Sequence, residues 1–569
     1  MKAAMKRLFL SLLIIPTLWL GGVPTAGYHG LGPAAAIAQT AGPIDVKTFG
    51  AKGDGITDDT TAINNAIAYV AARGGGDVVS YSPHLITTPI LMGSGVNLRI
   101  NNTLTASGMS APGATEIDHS AILFQGTSVL TSALTVSGVT SDLSVTVANS
   151  AGIATGDTIV VEDDSNFGRG AQAGSNSHLA RVMNVAGNVL TINNPLPTAF
   201  PAASSLARKV TLLENATAVV KTIAGAPYQG VTFQWARHAA VRDTEVNPVG
   251  KNAIYFHRAF GNLATNIIAR NPTSVVSPYG YGALFDFGAS DNTLKDSYFE
   301  GIREISVAEN ARRNHITSNR IIAAVDSALN THGLAAMDTL FENNTIINSA
   351  QYGISIGQTA ASGTAVDIRT VARGNTFINS VGWSIREVQF SPGTSIASDT
   401  IIENNVIRFG ATDAIYIGGA GVATDFTNTV VRNNKIISPG GNGIFLDGVS
   451  VNGAVVENNT VNSSTTAGII LNGTGDNIVV KGNTITSAGT YGIRNFAEGP
   501  RILLGGNKVI SATTANYLNV GMQAPLSGAW KTGDVMPNDG NPSAGAYIGW
   551  VCVTGGSPGT WKAFGAILP

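Results

Sequence analysis

A solenoid of short β-strands, all-β in class, is the fold this sequence predicts, on three observations. Eight asparagines, Asn319, Asn344, Asn375, Asn405, Asn434, Asn459, Asn483 and Asn507, recur at gaps of 25, 31, 30, 29, 25, 24 and 24 residues. Each closes a β-branched phrase such as TLFENNTI, TVVRNNKI or IVVKGNTI. A unit of that length with two or three short strands cannot bury its apolar face alone, so successive units must stack. The 67 glycines, with abundant Asn, Thr, Val and Ile, suit tight corners between strands, and helix formers are scarce outside one segment. Stacked coils share one core, so 569 residues do not imply several domains.

Charged residues make up only 12%, and Lys+Arg 34 against Asp+Glu 36 leaves a formal charge of -2, which provides no basic field for nucleic acid. Lys2, Lys6 and Arg7 precede the apolar stretch from Leu8 to Leu20, and Ala36-Ile37-Ala38 forms a small-x-small cleavage pattern. Residues 1–38 are therefore expected to be a secretory signal, with a cut after Ala26 as the alternative. The expected location is secreted, whether periplasmic, cell-surface or extracellular. The apolar run is short for a bilayer span and contains Pro16, so no membrane association is expected after cleavage. Cys552, the sole cysteine, excludes an internal disulfide and argues against a thiol-based site.

Residues 39–130 are expected to hold a cap and the first coils. Asp58 and Asp59 lie at a helix start, Ala62, Ile63, Ala66, Ile67 and Val70 form an apolar stripe, and Gly74 to Gly76 stop the helix. A helix there covers the open end of a solenoid. The phrase DVKTFGAKGDG followed by DDT and AI pairs closely resembles the opening segment of the pectate-lyase-like superfamily of right-handed parallel β-helix proteins. That superfamily includes polysaccharide lyases, glycoside hydrolases, epimerases and phage tailspikes. The resemblance implies a right-handed parallel β-helix and is specific for fold rather than reaction.

Between 131 and 206 the asparagine period vanishes, and alternating strands with Gly-Asp and Gly-Asn turns predict a small antiparallel insertion. Similar insertions flank the substrate groove in that superfamily. Coils resume over 207–515. Residues 526–569 resemble a short terminal β-module of bacterial and phage β-helix proteins. Trp530, Tyr547, Trp550 and Trp561 either stack on sugars there or form the module's own core, and the latter is favoured.

Aligned on the asparagine phrase, one strand per coil reads NAIYFHR, GALFDFG, EISVAE, ALNTHG, GISIGQ and GWSIREV. Period-2 alternation sends Ile254, Phe256, Ala283, Phe285, Ile305, Val307, Leu329, Thr331, Ile354, Ile356, Trp383 and Ile385 inward. The outward column is then His257, Asp286, Ala308, His332, Gly357 and Arg386. Beside it stand Tyr255, Leu284, Ser306, Asn330, Ser355 and Ser384, with Tyr279, Tyr281, Arg303 and Glu304 nearby. A ridge of ionisable groups on a column whose other places, Asp447 apart, are uncharged marks a candidate groove. Each residue has a plainer reading: a histidine can be a solvated strand residue, Asp286 a corner acceptor, Arg386 with Glu387 a surface ion pair.

Three chemistries suit such a groove. β-Elimination on a uronate polymer needs a base, a charge beside the carboxylate and an acid for the leaving O4. His332 is the expected base, Arg386 or His257 the carboxylate partner and Tyr281 or Tyr255 the proton donor. Tyr255, Asn330, Arg303, Glu304, Tyr279 and His257 are expected to bind substrate. A hydrolase would pair Asp286 with Glu304, and a C5-epimerase shares the first lyase step. Polygalacturonase-type hydrolases of the superfamily carry Asn-Thr-Asp, Asp-Asp, Gly-His-Gly and Arg-Ile-Lys phrases, and Thr331-His332-Gly333 is similar only to the third. No Cys/His metal spacing, HExxH, phosphate loop or GxSxG elbow occurs. Asp58-Asp59 reads as helix capping and Glu162-Asp163-Asp164 as an insertion loop, so no cofactor is expected; calcium is possible but lacks a clear site. The expectation is a metal-independent lyase acting on an acidic polysaccharide. Its non-enzymatic competitor is a tailspike-like glycan-binding protein.

Overall fold

The computed structural model describes residues 42–109, 119–163, 176–333, 335–358, 366–389, 396–419, 425–448, 451–473, 475, 477–497, 502–518, 524, 532–533, 535–538, 543–556 and 559–569. The expected signal, Asp164 and Trp530 lie outside these residues. A 25-stranded and a 14-stranded sheet, with a six-stranded third sheet beside them, carry the coils. Strands of successive coils pair in parallel, residue for residue, as in Ile354 with Ile385 and Ile385 with Ile415. This is the expected parallel β-helix. No helix among the described residues is long and apolar enough to cross a membrane.

The corners explain the asparagine phrase. Asn343, Asn404, Asn433 and Asn458 have φ between 55° and 57°, and Gly374 and Gly482 take the same left-handed place at 67° and 65°. Asparagine and glycine tolerate that conformation best, hence the Asn-Asn and Gly-Asn pairs. The second member is the rung: Asn405 Nδ2 donates to Ala372 O at 2.9 Å and to Asn434 Oδ1 at 3.0 Å, and its own Oδ1 accepts from Asn375 N at 2.9 Å. The same linkage runs from Asn319 to Asn507. A second ladder, Asn262 to Asn292 to Asn314, lines another corner and continues as Thr339, Thr370, Thr400 and Thr429.

Inside the coils, Phe124, Phe233, Phe256 and Phe285 stack with centroids 4.6, 5.0 and 4.5 Å apart. Ile254, Ile305, Leu329, Ile354, Ile385, Ile415 and Ile444 continue the core, each fully buried, at about 1.5–3 kcal/mol per side chain. Two expectations need correction. Ile356 pairs with Glu387 and Ser355 with Arg386, so the alignment of this coil is displaced by two residues. Glu387 faces the lumen while Trp383 is half-buried at the strand's edge. Glu387 is tolerated because Thr400 and Thr429 from the second corner donate to its two oxygens at 2.7 and 2.9 Å. Asp367 is held likewise by Thr331 and Thr370 at 2.5 and 2.6 Å.

The cap helix α1 (Thr60–Ala72) buries Ile63, Ala66, Ile67 and Val70 as its stripe requires. Asp58 caps it through Thr60 N at 3.0 Å. Asp59 does not cap the helix. It accepts from Lys52 N and Gly53 N and meets His84 Nδ1 at 2.7 Å, while His84 Nε2 meets Ser80 Oγ at 2.6 Å. This Ser-His-Asp chain is wholly buried, so it fastens the cap and reaches no substrate.

Six antiparallel strands between Thr127 and Thr211 form the insertion around Val147, Ile159, Val161, Val182, Leu190 and Phe200. Glu162 and Asp163 lie in one of its strands rather than in a loop, and the buried Glu162 carboxylate takes Arg208, Arg258 and Trp235 at 3.0, 2.8 and 2.8 Å. Arg312 spans the same junction to Ser177 and Asn176. In the C-terminal three-stranded sheet Trp550 and Trp561 pack on Met536 and Cys552, the core role, while Tyr547 is exposed.

Candidate functional site

The outer face of the 14-stranded sheet carries one pocket of about 460 Å³ whose wall includes Tyr255, Tyr281, Asp286, Arg303, Glu304, Asn330, His332 and Arg386. Eight of the ten residues singled out from sequence thus meet in one recess. The register does this: His257 pairs with Asp286, Ala308 with His332, and Asn330 with Ser355, which pairs with Arg386. Arg386 stands in the column of Tyr255 and Asn330, next to the column of His332. The side chains also do not form a solvated ridge. They pack rung against rung, leaving His332 7% and Arg386 9% exposed, so they line a recess.

His332 Nδ1 lies 2.8 Å from Ser306 Oγ and 3.3 Å from Asn330 Nδ2. The same Asn330 amide donates to Glu304 Oε2 at 2.9 Å. Arg303 Nη1 donates to the Tyr281 hydroxyl at 2.9 Å, and Arg303 Nη2 lies 3.8 Å from Glu304 Oε1 and 3.5 Å from Asp326 Oδ2. Those two carboxyl oxygens are therefore no more than about 7 Å apart, a bound compatible with the shorter carboxylate separation used in glycoside hydrolysis. Glu304 sits opposite Gly282, four residues from Asp286, which is about 13 Å of strand. The close carboxylate pair is accordingly Glu304 with Asp326, and not Asp286 with Glu304.

Arg386 Nε donates to Ser355 Oγ at 2.8 Å, and its guanidinium lies 3.4 Å from the centroid of the Tyr352 ring. Burial lowers its pKa, opposed by the nearby Tyr352, Asp326 and Glu304, and a guanidinium remains charged regardless. Tyr352, Trp383 and Tyr416 stack face to face at 5.6 and 4.3 Å, so these rings use their faces on one another and on Arg386 rather than on a ligand.

Two expected residues lie off the wall. His257 is buried beside Phe287, with Nδ1 3.0 Å from the Tyr255 hydroxyl, and burial drives its pKa well down, which makes it a neutral partner of Tyr255 rather than a carboxylate-binding cation. Tyr279 is half-buried against Tyr228 in the turn whose Ser277 and Pro278 form one pocket side. Lys251 and Asp326 also line the pocket and were missed. Both lie just outside the aligned strand phrase, where alternation gives no signal.

Among the described residues no group of three or more His, Cys, Asp and Glu is arranged to hold a metal. Comparison with curated protein sequences gives no match. The tailspike of Pseudomonas phage phi297 superposes with a TM-score of 0.54 at 13% identity, covering 92% of this chain and 97% of that one. The tailspike of Acinetobacter baumannii bacteriophage AP22, solved with a capsular saccharide, gives 0.49 at 12% identity over 81% of this chain and 79% of that one. A profile described as rhamnogalacturonase A/epimerase, pectate lyase-like, matches residues 44–99. The profile described as right handed beta helix region matches residues 214–377 and 367–524, more than half of the sequence. With that match and the coil geometry above, the chain belongs to the right-handed β-helix family of pectate-lyase-like proteins.

Proposed function

We propose that this is an exported enzyme that cleaves an acidic, uronate-containing polysaccharide by β-elimination. The observation that carries the proposal is the pairing in one recess of His332, oriented through Ser306, with Arg386, held on Tyr352 and Ser355. Arg386 neutralises the substrate carboxylate and so favours loss of the C5 proton. His332 takes that proton on its imidazole, which Ser306 Oγ holds in place at 2.8 Å from Nδ1. Tyr281 gives its proton to the departing O4, and Arg303, donating to the same phenol oxygen, stabilises the phenolate that results. Asp286 and Asn330 bind sugar hydroxyls. Positive charge comes from arginines, so the reaction as drawn calls on no metal.

A second reading, glycoside hydrolysis, is favoured by the Glu304 and Asp326 separation. Incubating the purified chain with alginate, polygalacturonate and hyaluronan separates the readings. New absorbance from a C4=C5 double bond supports elimination, and reducing ends without it support hydrolysis. Binding with neither product supports a glycan-binding protein like the tailspikes.

A further inference from the structure

A second groove, of about 570 Å³, lies on the outer face of the 25-stranded sheet, near the capped end. One residue column runs the length of that face. From Glu342 it alternates in sign: Glu342, Arg373, Glu403, Arg432, Glu457, Lys481. Neighbours there pair at 2.6 Å (Arg373 with Glu342), 2.7 Å (Arg432 with Glu403) and 3.1 Å (Lys481 with Glu457). Followed toward the cap, the same column reads Thr317, Lys295, Thr265, Arg242, Val219, Arg99 and Val79, and ends at Asp45. No carboxylate stands between Thr317 and Val79, and the Asp45 carboxylate accepts from Lys47 N. Among the described residues neither the Arg99 nor the Arg242 guanidinium has a hydrogen bond, ion pair or ring contact, and both are exposed.

These two arginines stand two rungs apart, about 9–10 Å, with Val219 between them. Tyr81, 70% exposed, lines the same groove with Val79, Asn97 and Thr217. Asp77 and Asp243 are also on its wall, each engaged by an asparagine amide, Asn97 and Asn266. Two forked cations at a disaccharide-like spacing, an apolar strip and one open aromatic face suit a sugar chain bearing carboxylates.

We propose that the groove of Tyr81, Arg99 and Arg242 is an auxiliary binding site for anionic polysaccharide, separate from the reaction pocket. It rests on the acidic-glycan reading above. It retains polymer but takes no part in bond cleavage.

Affinity electrophoresis of the full chain in gels containing alginate, polygalacturonate, hyaluronan, dextran sulfate or neutral dextran tests this. The expected result is retardation by at least one uronate polymer and none by dextran. Arg99→Ala/Arg242→Ala weakens that retardation about tenfold and leaves turnover of short oligouronates unchanged, while His332→Ala keeps full retardation. Circular dichroism melting confirms that the variants fold. The proposal is overturned if the double variant is retarded like the parent chain, if Arg386→Ala alone abolishes retardation, or if dextran sulfate retards the chain and no uronate does. Retardation dependent on Arg99 and Arg242 but without any cleavage product would sink the lyase reading and leave this site standing.

Discussion

Arg303 donates from Nη1 to the Tyr281 hydroxyl at 2.9 Å, and the same guanidinium lies 5.1 Å from the centre of the Tyr281 ring. A phenol so placed loses its proton next to a fixed cation, the arrangement a leaving-group acid needs. Tyr281→Phe should lower kcat about a hundredfold with KM little changed, as initial rates at saturating polymer will show. An unchanged kcat would move the proton donor to Tyr255.

Asp326→Asn separates the two chemistries at a single oxygen. Elimination needs no second carboxylate, so the variant should keep its rate within about tenfold. Hydrolysis through Glu304 and Asp326 would lose far more, on the order of a thousandfold or beyond. Product analysis beside the rate shows which bond chemistry remains.

Asn405→Ala removes one rung of the corner ladder. Asn375 N and Nδ2 lose their acceptor, and Ala372 O loses its donor. Each group left unsatisfied costs about 1–3 kcal/mol, so the melting temperature should fall by several degrees while activity per folded molecule persists. No thermal change would mean that water replaces the rung.

Glu387→Gln tests the lumen. Burial raises the Glu387 pKa to about 7, against the Thr400 and Thr429 hydroxyls that lower it, and raises Asp367 to about 6. The folded chain therefore holds these protons above the unfolded pKa values near 4.5 for Glu387 and 3.8 for Asp367, so each contribution is complete below its unfolded value and is lost as pH rises toward 7 and 6 respectively. Melting temperature should decline between pH 4.5 and 7, and Glu387→Gln should flatten the decline. A parent curve that rises across this window would show that Glu387 is charged throughout.

The asparagine rungs, the apolar lumen and the face bearing the pocket were legible because each follows from spacing and alternation. The Arg386 register was not, and Glu387 is the reason. An alignment that demands apolar residues inside slides two positions to put Trp383 inward, whereas the chain buries a carboxylate that corner threonines from its own and the next coil satisfy. The second corner ladder changes from asparagine to threonine after Asn314 and so loses its signature. Asp326 and Lys251 enter the pocket from strand ends, beyond the reach of period-2 reasoning.

The reaction centre stands or falls on His332. Absorbance of the C4=C5 double bond, followed for the parent chain and His332→Ala on the best of the three uronate polymers, measures it directly. The expected result is a rising signal that His332→Ala reduces at least a hundredfold with little change in melting temperature. Cleavage without that absorbance, or undiminished absorbance in the variant, would contradict it.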